Sequence, residues 1–280
     1  MLIRLMKILL IYIKAYIIKF LNIFIKIKKI SIGSGRRNWI GWDMLDKDSF
    51  PLITYTEFNN FTKLPKKKYK IIFCSHFIEH IEDGAFINLI NEIKKISDSE
   101  SKILFKYPNF EFFYKAFHSN ENDQLFLKIT DGQYSPYTHT WKNFNVEDNK
   151  YNRISAMFCD YSNKNFGNPY SFSKDLAYSE NAYHGPAQIN QSRLKEIFNE
   201  KRFKNISMNL KAECSKDKEL SSFNHMNSWN FEELKLIFIN NGFKVISTNP
   251  DEIYEEFKFN IPQNEILFIK EWSNYIYLKI

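Results

Sequence analysis

Short apolar runs alternate along much of the chain with segments in which apolar residues recur at helical spacing. In the first half, the apolar runs predict strands at residues 27–33, 39–46, 52–58, 69–75 and 101–108, and the run at 69–75 is typical of a buried strand. Helical spacing predicts amphipathic helices at 84–97 and 230–243, and later runs predict strands at 244–248 and 273–280. Because strands alternate with helices, the pattern predicts an α/β fold with a mostly parallel sheet that helices cover on both faces.

The pattern weakens between residues 110 and 227, where Asn, Tyr, Phe and Ser are frequent. Only residues 192–203 predict a clear helix there, and the aromatic run Phe110–Phe117 is more typical of a core than of a sugar-stacking surface. Loops of this length without secondary structure are uncommon in compact domains. We therefore interpret the region as an inserted, partly helical cap over the ligand-binding edge of the sheet. The predicted domains are an N-terminal helix at 1–26, a core at 27–109 plus 228–280, and a cap at 110–227.

Residues 1–26 are apolar, with cations at regular intervals and no acidic residue. One half of a helical wheel carries Arg4, Lys7, Lys14, Lys19, Asn22 and Lys26, and the other half carries Leu2, Leu5, Leu9, Tyr16, Phe20, Ile23 and Ile27. The uncharged runs are shorter than the roughly 20 residues that a membrane span needs, and no small-residue cleavage site follows. The pattern predicts a helix lying in an anionic membrane surface. The alternative is a helix whose apolar side packs on the domain.

Composition and charge narrow the choice of partners only slightly. The 280 residues carry a formal net charge of +7, but outside the N-terminus the basic residues are dispersed and no RNA-binding module is recognisable. Nucleic acid is therefore not an expected partner. Cys74, Cys159 and Cys214 are too far apart for a disulfide framework or a CxxC pair, which indicates a reduced, cytoplasmic protein. The histidines show no metal-ligand spacing, so no metal is expected.

The stretch "SIGSGRRNWIGWDMLD" (residues 31–46) places two glycines after the first predicted strand. Gly33 and Gly35 permit a tight turn and a close approach to a ligand. The dinucleotide pattern GxGxxG requires a third glycine where Asn38 stands, and no Gly-Lys-Ser/Thr follows as in phosphate loops. From these residues alone, both a ligand cradle and a structural turn stay open.

Polar residues follow the ends of the next predicted strands. They are Asp46, then Asn59 and Asn60, then Ser75, His76, Glu79 and His80 in "FCSHFIEH". The carboxyl ends of parallel strands meet at one edge of the sheet, where open α/β sheets bind their ligands. These side chains are therefore expected to lie around one crevice.

The segments "IGSGRRNWIGWDMLD", "LPKKKYKIIFCSHFIEH" and "HMNSWNFEELKLIFINNGF" resemble the successive motifs of class I S-adenosylmethionine-dependent methyltransferases. The most similar group is often encoded with bacterial surface-glycan genes. Its motifs are Gly-x-Gly, Gly-Trp-x-x-x-Asp, Ser-His-x-x-Glu-His, and a late His-x-Asn-x-Trp before a helix that ends in Gly-Phe. The resemblance covers about the first hundred and the last sixty residues. It implies a Rossmann-like methyltransferase sheet with an antiparallel last strand, and S-adenosyl-L-methionine as cofactor.

The resemblance also implies roles for individual residues. Gly33 and Gly35 would hold the methionine part of the cofactor, Asp46 the ribose hydroxyls, and Ser75 and His76 would line the cofactor. Two positions depart from the wider family: Asn59 or Asn60 stands where an aspartate usually lies near the adenine, and Arg37 replaces a third glycine. Arg36 and Arg37 would crowd the pocket or reach an anionic acceptor.

Methyl transfer to oxygen or nitrogen needs alignment and often a general base. His80, Glu79 and His225 are the candidate catalytic residues; the structural alternatives are that His80 caps the following turn and that His225 ties the cap to the sheet. The predicted function is methyl transfer to a glycan or lipid-linked saccharide at the cytoplasmic membrane face. One alternative is a catalytically inactive relative that binds a membrane or partner, and another is a nucleotide-sugar-dependent transferase.

Overall fold

The structure is a computed structural model that describes part of the chain. The described residues are 2–34, 37, 39–46, 53–55, 64–119, 141, 144–163, 183–186, 188–214, 220–222, 225, 227–267 and 272–280. The chain divides into two compact units. The first unit comprises Met1–Tyr107 and Leu234–Ile280, and the second comprises Pro108–Glu233.

The secondary structure elements are numbered in chain order within the described residues. The helices are α1 (Leu2–Ile23), α2 (Asp83–Ile96), α3 (Phe110–His118), α4 (Lys150–Phe158), α5 (Gln191–Phe198), α6 (Phe203–Cys214), α7 (Phe231–Asn240), α8 (Pro250–Phe257) and α9 (Gln263–Leu267). The strands are β1 (Lys29–Ile32), β2 (Trp42–Asp46), β3 (Ile53–Tyr55), β4 (Ile71–Ser75), β5 (Lys102–Pro108), β6 (Asp160–Asn163), β7 (His184–Pro186), β8 (Leu220–Ser222), β9 (Lys244–Ser247) and β10 (Ser273–Lys279). A single 3-10 turn, Ile78–His80, follows β4.

A seven-stranded sheet with the order β3-β2-β1-β4-β5-β10-β9 forms the first unit. The neighbours from β3 to β5 pair in parallel, and β10 pairs antiparallel with β9. The first residue of β10, Ser273, lies 3.0 Å by its Oγ from His76 Nε2, just beyond the end of β4. Strand β10 therefore enters at the carboxyl edge of the parallel strands and runs against them. The predicted Rossmann-like α/β sheet, mostly parallel with an antiparallel last strand, is confirmed.

Helices cover both faces of this sheet, because the strand side chains alternate between two apolar clusters. On one face, Trp42, Phe73 and Leu104 pack with Phe257 of α8 and Ile266 of α9. On the other face, Phe105 lies 4.8 Å from Phe238 of α7, whose ring also meets Phe86 of α2 at 5.8 Å. Strand β4 is buried along its whole length, as its apolar run predicts.

The second unit contains a three-stranded antiparallel sheet, β7-β6-β8, and the helices α3 to α6. Its core is aromatic: the rings of Phe117 and Phe198 stack 3.8 Å apart, and Phe110 lies 5.2 Å from Phe158. Phe110, Phe113 and Phe117 are all buried, so their run is part of a core, as predicted. Helix α5 corresponds to the helix predicted at 192–203, and α3, α4 and α6 are further helices that the sequence pattern did not identify. That residues 110–227 cap the ligand-binding edge stays a prediction.

Helix α1 packs against the rest of the first unit through one narrow face. Ala15 and Ile18 are buried, and the Asn22 side chain accepts a hydrogen bond from Gly41 N at 2.7 Å and donates to Trp42 O at 3.4 Å. The helix ends at Ile23, three residues before the predicted end. Its outward positions are large, apolar and exposed, namely Leu9, Leu10, Ile13, Tyr16, Ile17, Phe20, Leu21 and Ile23. Among the described residues, no helix is long and apolar enough to cross a membrane.

Candidate functional site

The carboxyl edge of the sheet brings together the ends of β1, β2 and β4. The turn after β1 is held to β2 by a hydrogen bond from Ser34 N to Leu45 O at 3.0 Å. Gly33 has a φ of +68°, and a Cβ at this position would overlap the ring of Phe77. The fold itself therefore requires glycine at position 33, so this glycine alone is not evidence for a ligand.

Stronger evidence comes from buried hydroxyl groups at the same edge. The Oγ atoms of Ser34 and Ser75 are buried, and so is Ser31 Oγ within β1; none of the three has a hydrogen-bond partner among the described residues. A buried polar group without a partner costs about 1–3 kcal/mol. Asp46, at the end of β2, is also nearly buried, with 8% of its surface exposed. These hydroxyls and this carboxylate fit a polar ligand with hydroxyl and amino-acid groups, such as S-adenosylmethionine.

The motif "SHFIEH" builds a polar cluster directly after β4. His76 adopts a left-handed backbone conformation, with a φ of 49°, and its N–H donates to Lys106 O at 2.7 Å. The Glu79 carboxylate is fully buried, with Oε1 at 3.3 Å from His76 Nδ1 and 3.8 Å from His80 Nε2. Burial lowers the pKa of His76 below its ordinary value, although Glu79 acts in the opposite direction. The carboxylate thus lies between two imidazoles and is close enough to His76 to orient its ring, whereas its contact with His80 is longer than a hydrogen bond.

A second cluster contains a lysine and a glutamate that the sequence analysis did not single out. Lys106 is buried in β5, and its Nζ donates to Glu265 O at 2.8 Å. Arg37 Nε lies 2.9 Å from Glu265 Oε2, so this arginine forms an ion pair within the chain. Burial lowers the pKa of Lys106 from its usual 10.5 to about 7. The only sequence signal was a lysine inside the otherwise apolar run "ILFKYP".

His225 belongs to the second unit and is held by that unit's own backbone and side chains. Its Nδ1 lies 2.5 Å from Met157 O, and its N–H donates to Asp160 Oδ1 at 3.0 Å. Farther along the same motif, Ser228 Oγ donates to Phe203 O at 2.6 Å. The motif therefore ties α4 and α6 to the segment before α7. That His225 shares a reaction with His80 stays a prediction.

Three predicted cofactor residues, Gly35, Asn59 and Asn60, lie outside the described residues. Their contacts with the methionine and adenine parts of a cofactor stay predictions.

No protein-family model matches the chain, and no curated protein matches its sequence. Among solved structures, the chain is similar to PKMT2 from Rickettsia typhi in complex with AdoHcy, at 10% identity and a TM-score of 0.35. The similarity covers 90% of this chain and 48% of that protein, so the chain spans about half of that protein's length. A likeness of this size does not assign a function, which has to come from the residues of the chain itself.

Proposed function

We propose that the chain is an S-adenosylmethionine-dependent methyltransferase whose cofactor binds at the carboxyl edge of β1, β2 and β4. The buried, unpartnered hydroxyls of Ser34 and Ser75 carry this proposal. They lie at the ends of β1 and β4, between which the strand order of the sheet reverses, and ligands of open α/β sheets bind at such a point. A hydroxyl-rich and zwitterionic ligand would satisfy groups that the chain itself leaves unsatisfied.

In this proposal, different residues of this edge bind different parts of the cofactor. Asp46, at the end of β2, is placed to accept hydrogen bonds from the ribose hydroxyls. Ser34, Ser75 and the backbone of the turn after β1 are placed to bind the amino-acid part. When bound, the cofactor supplies an activated methyl group. The buried walls exclude water and hold the acceptor in line.

In this proposal the histidine and lysine side chains near β4 and β5 accept the proton from the acceptor. Glu79 lies 3.3 Å from His76 and 3.8 Å from His80, and a carboxylate beside an imidazole can prepare it for general acid–base work. Lys106, with a pKa of about 7, can hold or release a proton at Nζ near neutral pH. His80 is less buried than Glu79 and remains our candidate base, whereas Glu79 is better described as a positioning residue.

The proposed acceptor is a glycan or a lipid-linked saccharide at the cytoplasmic membrane face. The resemblance to the surface-glycan group supports the saccharide, and the exposed apolar face of α1 supports the membrane. The cations Lys14 and Lys19 flank that face, and α1 contains no acidic residue. An anionic leaflet is the surface that such a helix fits.

Calorimetric titration of the purified full chain with S-adenosylhomocysteine tests the cofactor, with NAD and a uridine-diphosphate sugar in parallel. Micromolar binding of S-adenosylhomocysteine alone is expected. Asp46→Asn should weaken it by about 10-fold or more, because hydrogen bonds to a charged group contribute about 1.5–3 kcal/mol. Asp251→Asn, at an exposed position in the first turn of α8, is the matched control. Unchanged affinity in Asp46→Asn would contradict the placement of the cofactor.

A second candidate is a non-catalytic protein that keeps this fold and binds a membrane. The packing of the Phe77 ring against Gly33 favours it, because it covers one side of the turn that a cofactor would approach. The absence of S-adenosylhomocysteine binding together with retained vesicle binding would select this candidate. Binding of the sugar nucleotide alone would select a transferase of another class.

A further inference from the structure

A groove of about 470 Å³ lies in the first unit, beside the inner edge of α1. Helix α1 contributes one side, the start of β1 and the turn before β2 form the floor, and the segment after α8 forms the other side. The lining residues that matter here are Lys14, Lys29, Trp39, Trp42, Lys258 and Phe259. The groove lies at the amino edge of the parallel strands, opposite the proposed cofactor site.

The charge in this groove has one sign. Three lysines line it, and none of the described residues that line it is acidic. The described part of the chain places no carboxylate in an ion pair with Lys14 or Lys29, whereas Lys258 pairs with Glu255. Burial lowers the pKa of Lys29, because its ammonium is partly desolvated. Lysines that line a groove to which no carboxylate contributes favour an anion there.

The floor of the groove is aromatic, and its rim is apolar. Trp39 and Trp42 meet edge to face at 5.0 Å, and the Lys29 ammonium lies 5.7 Å from the Trp42 ring. Phe259 is 88% exposed at the rim, and Ile40 is 53% exposed beside it. A free phosphate would use the lysines and leave these apolar groups in water. A phosphate that carries acyl chains would use both.

The apolar face of α1 continues from the groove. Lys14 and Ile18 line the groove, while Ile13 and Ile17 on the adjoining face of the same helix are exposed. We propose that this groove binds the phosphomonoester head group of phosphatidic acid, while the exposed face of α1 lies among the acyl chains. This inference rests on the membrane association proposed above and does not depend on methyl transfer.

Flotation of the full chain with three kinds of vesicle tests the groove. The vesicles contain phosphatidylcholine alone, phosphatidylcholine with phosphatidylglycerol, or phosphatidylcholine with phosphatidic acid, the last two matched in surface charge. The general attraction of about 1 kcal/mol per lysine is the same for the two anionic vesicles, so a preference of the wild-type chain for phosphatidic acid reports entry of its phosphomonoester into the groove, and this preference is expected. Equal binding to the two anionic vesicles would overturn the groove proposal and leave the membrane association standing.

Two double variants separate a specific site from general attraction. Lys14→Gln/Lys29→Gln removes the groove's unpaired cations, and Lys19→Gln/Lys26→Gln removes the same charge from exposed positions in the same N-terminal segment. Both should bind phosphatidylglycerol vesicles more weakly. Only the first should lose the preference for phosphatidic acid, and equal loss in both variants would refute the site.

Calorimetry with monomeric dihexanoyl phosphatidic acid and with inorganic phosphate removes the membrane from the test. The wild-type chain should bind the soluble lipid more tightly than inorganic phosphate, and Lys14→Gln/Lys29→Gln should lose most of this binding. Equal affinity for both probes would show a phosphate site without lipid recognition and would refute the proposal. Binding of the soluble lipid without flotation would instead support the groove and refute the proposed membrane association.

Discussion

The buried lysine in β5 makes the stability of the protein depend on pH in a defined direction. Burial lowers the pKa of Lys106 from 10.5 to about 7. At 1.36 kcal/mol per pKa unit, keeping Lys106 charged in the folded state costs about 5 kcal/mol relative to the unfolded chain. Below about pH 7 both the folded and the unfolded chain bind the Lys106 proton, so the folded protein is destabilised by the full amount. Between about pH 7 and 10.5 only the unfolded chain binds it, so this cost declines as pH rises.

The corresponding experiment compares the wild-type chain with Lys106→Met. Methionine has a similar length and does not titrate, so the difference between the two free energies of unfolding isolates Lys106. Relative to the variant, the wild type should gain about 1.4 kcal/mol per pH unit above about pH 7. Urea unfolding followed by tryptophan fluorescence, from about pH 6 to about pH 9, measures this slope.

The pH dependence of the difference in unfolding free energy tests the lowered pKa of Lys106. The absolute size of that difference does not, because Lys106→Met also removes the hydrogen bond to Glu265 O. Lys102→Met provides a control on the same strand, since that ammonium pairs with Glu256 at the surface. The opposite result would be a difference in unfolding free energy between the wild type and Lys106→Met that stays constant across this pH range. It would show that Lys106 is hydrated in the folded protein.

Three further substitutions probe other parts of the structure. Gly33→Ala should destabilise the chain by about 1–3 kcal/mol, because residue 33 has a positive φ and its Cβ would overlap the Phe77 ring. A midpoint of urea unfolding equal to that of the wild type would contradict this packing. Glu79→Gln should lower the pKa of His76 further, because the carboxylate is what raises it, and NMR titration of the imidazole protons reports the shift. An unchanged titration would mean that the two side chains do not interact. Phe117→Ala should lower the free energy of unfolding by about 3–5 kcal/mol, because the Phe117 ring is buried and stacked 3.8 Å from the ring of Phe198. Thermal unfolding that matches wild type would refute that contact.

The central strands of the sheet were predictable because they are buried on both faces. Residues 71–75 form a short apolar run that is buried throughout, residues 102–108 are apolar apart from two lysines, and the buried residues of helix α2 recur at helical spacing. The strand order is not encoded in any local pattern; it follows from pairing between distant segments. The motif resemblance supplied that information indirectly, through the fold that it implies.

Three helices of the second unit, α3, α4 and α6, were not identified from the sequence, because the apolar periodicity of this asparagine-rich region is weak. Asn109, Asn149 and Asn190 each cap a helix, and each side chain accepts a hydrogen bond from the backbone N–H three residues later. Helix α4 also buries Lys150, whose ammonium donates to Ser119 O, so its buried face does not look apolar in the sequence. A frequent residue that serves as a helix cap is easily mistaken for a loop signal.

The sequence predicts which strand ends carry the polar residues of the proposed site. Asp46 and Ser75 end β2 and β4, and His76 and Glu79 follow β4, so all four lie at the carboxyl edge of the parallel strands. The pairing of Arg37 with Glu265 was not predictable, since the two residues are far apart in the chain and meet only when β10 enters the sheet beside β5.

The attachment of α1 sets a distance that the acceptor has to span. Asn22 fixes the helix to Gly41 and Trp42, where β2 begins, whereas the proposed cofactor site lies where β2 and β4 end. Five residues of strand separate the two edges by roughly 15 Å. If α1 rests on the bilayer, the methyl group is delivered that far above the lipid surface. A lipid-linked glycan would then be modified on sugars several units from its anchor, and the sugar next to the lipid would be out of reach.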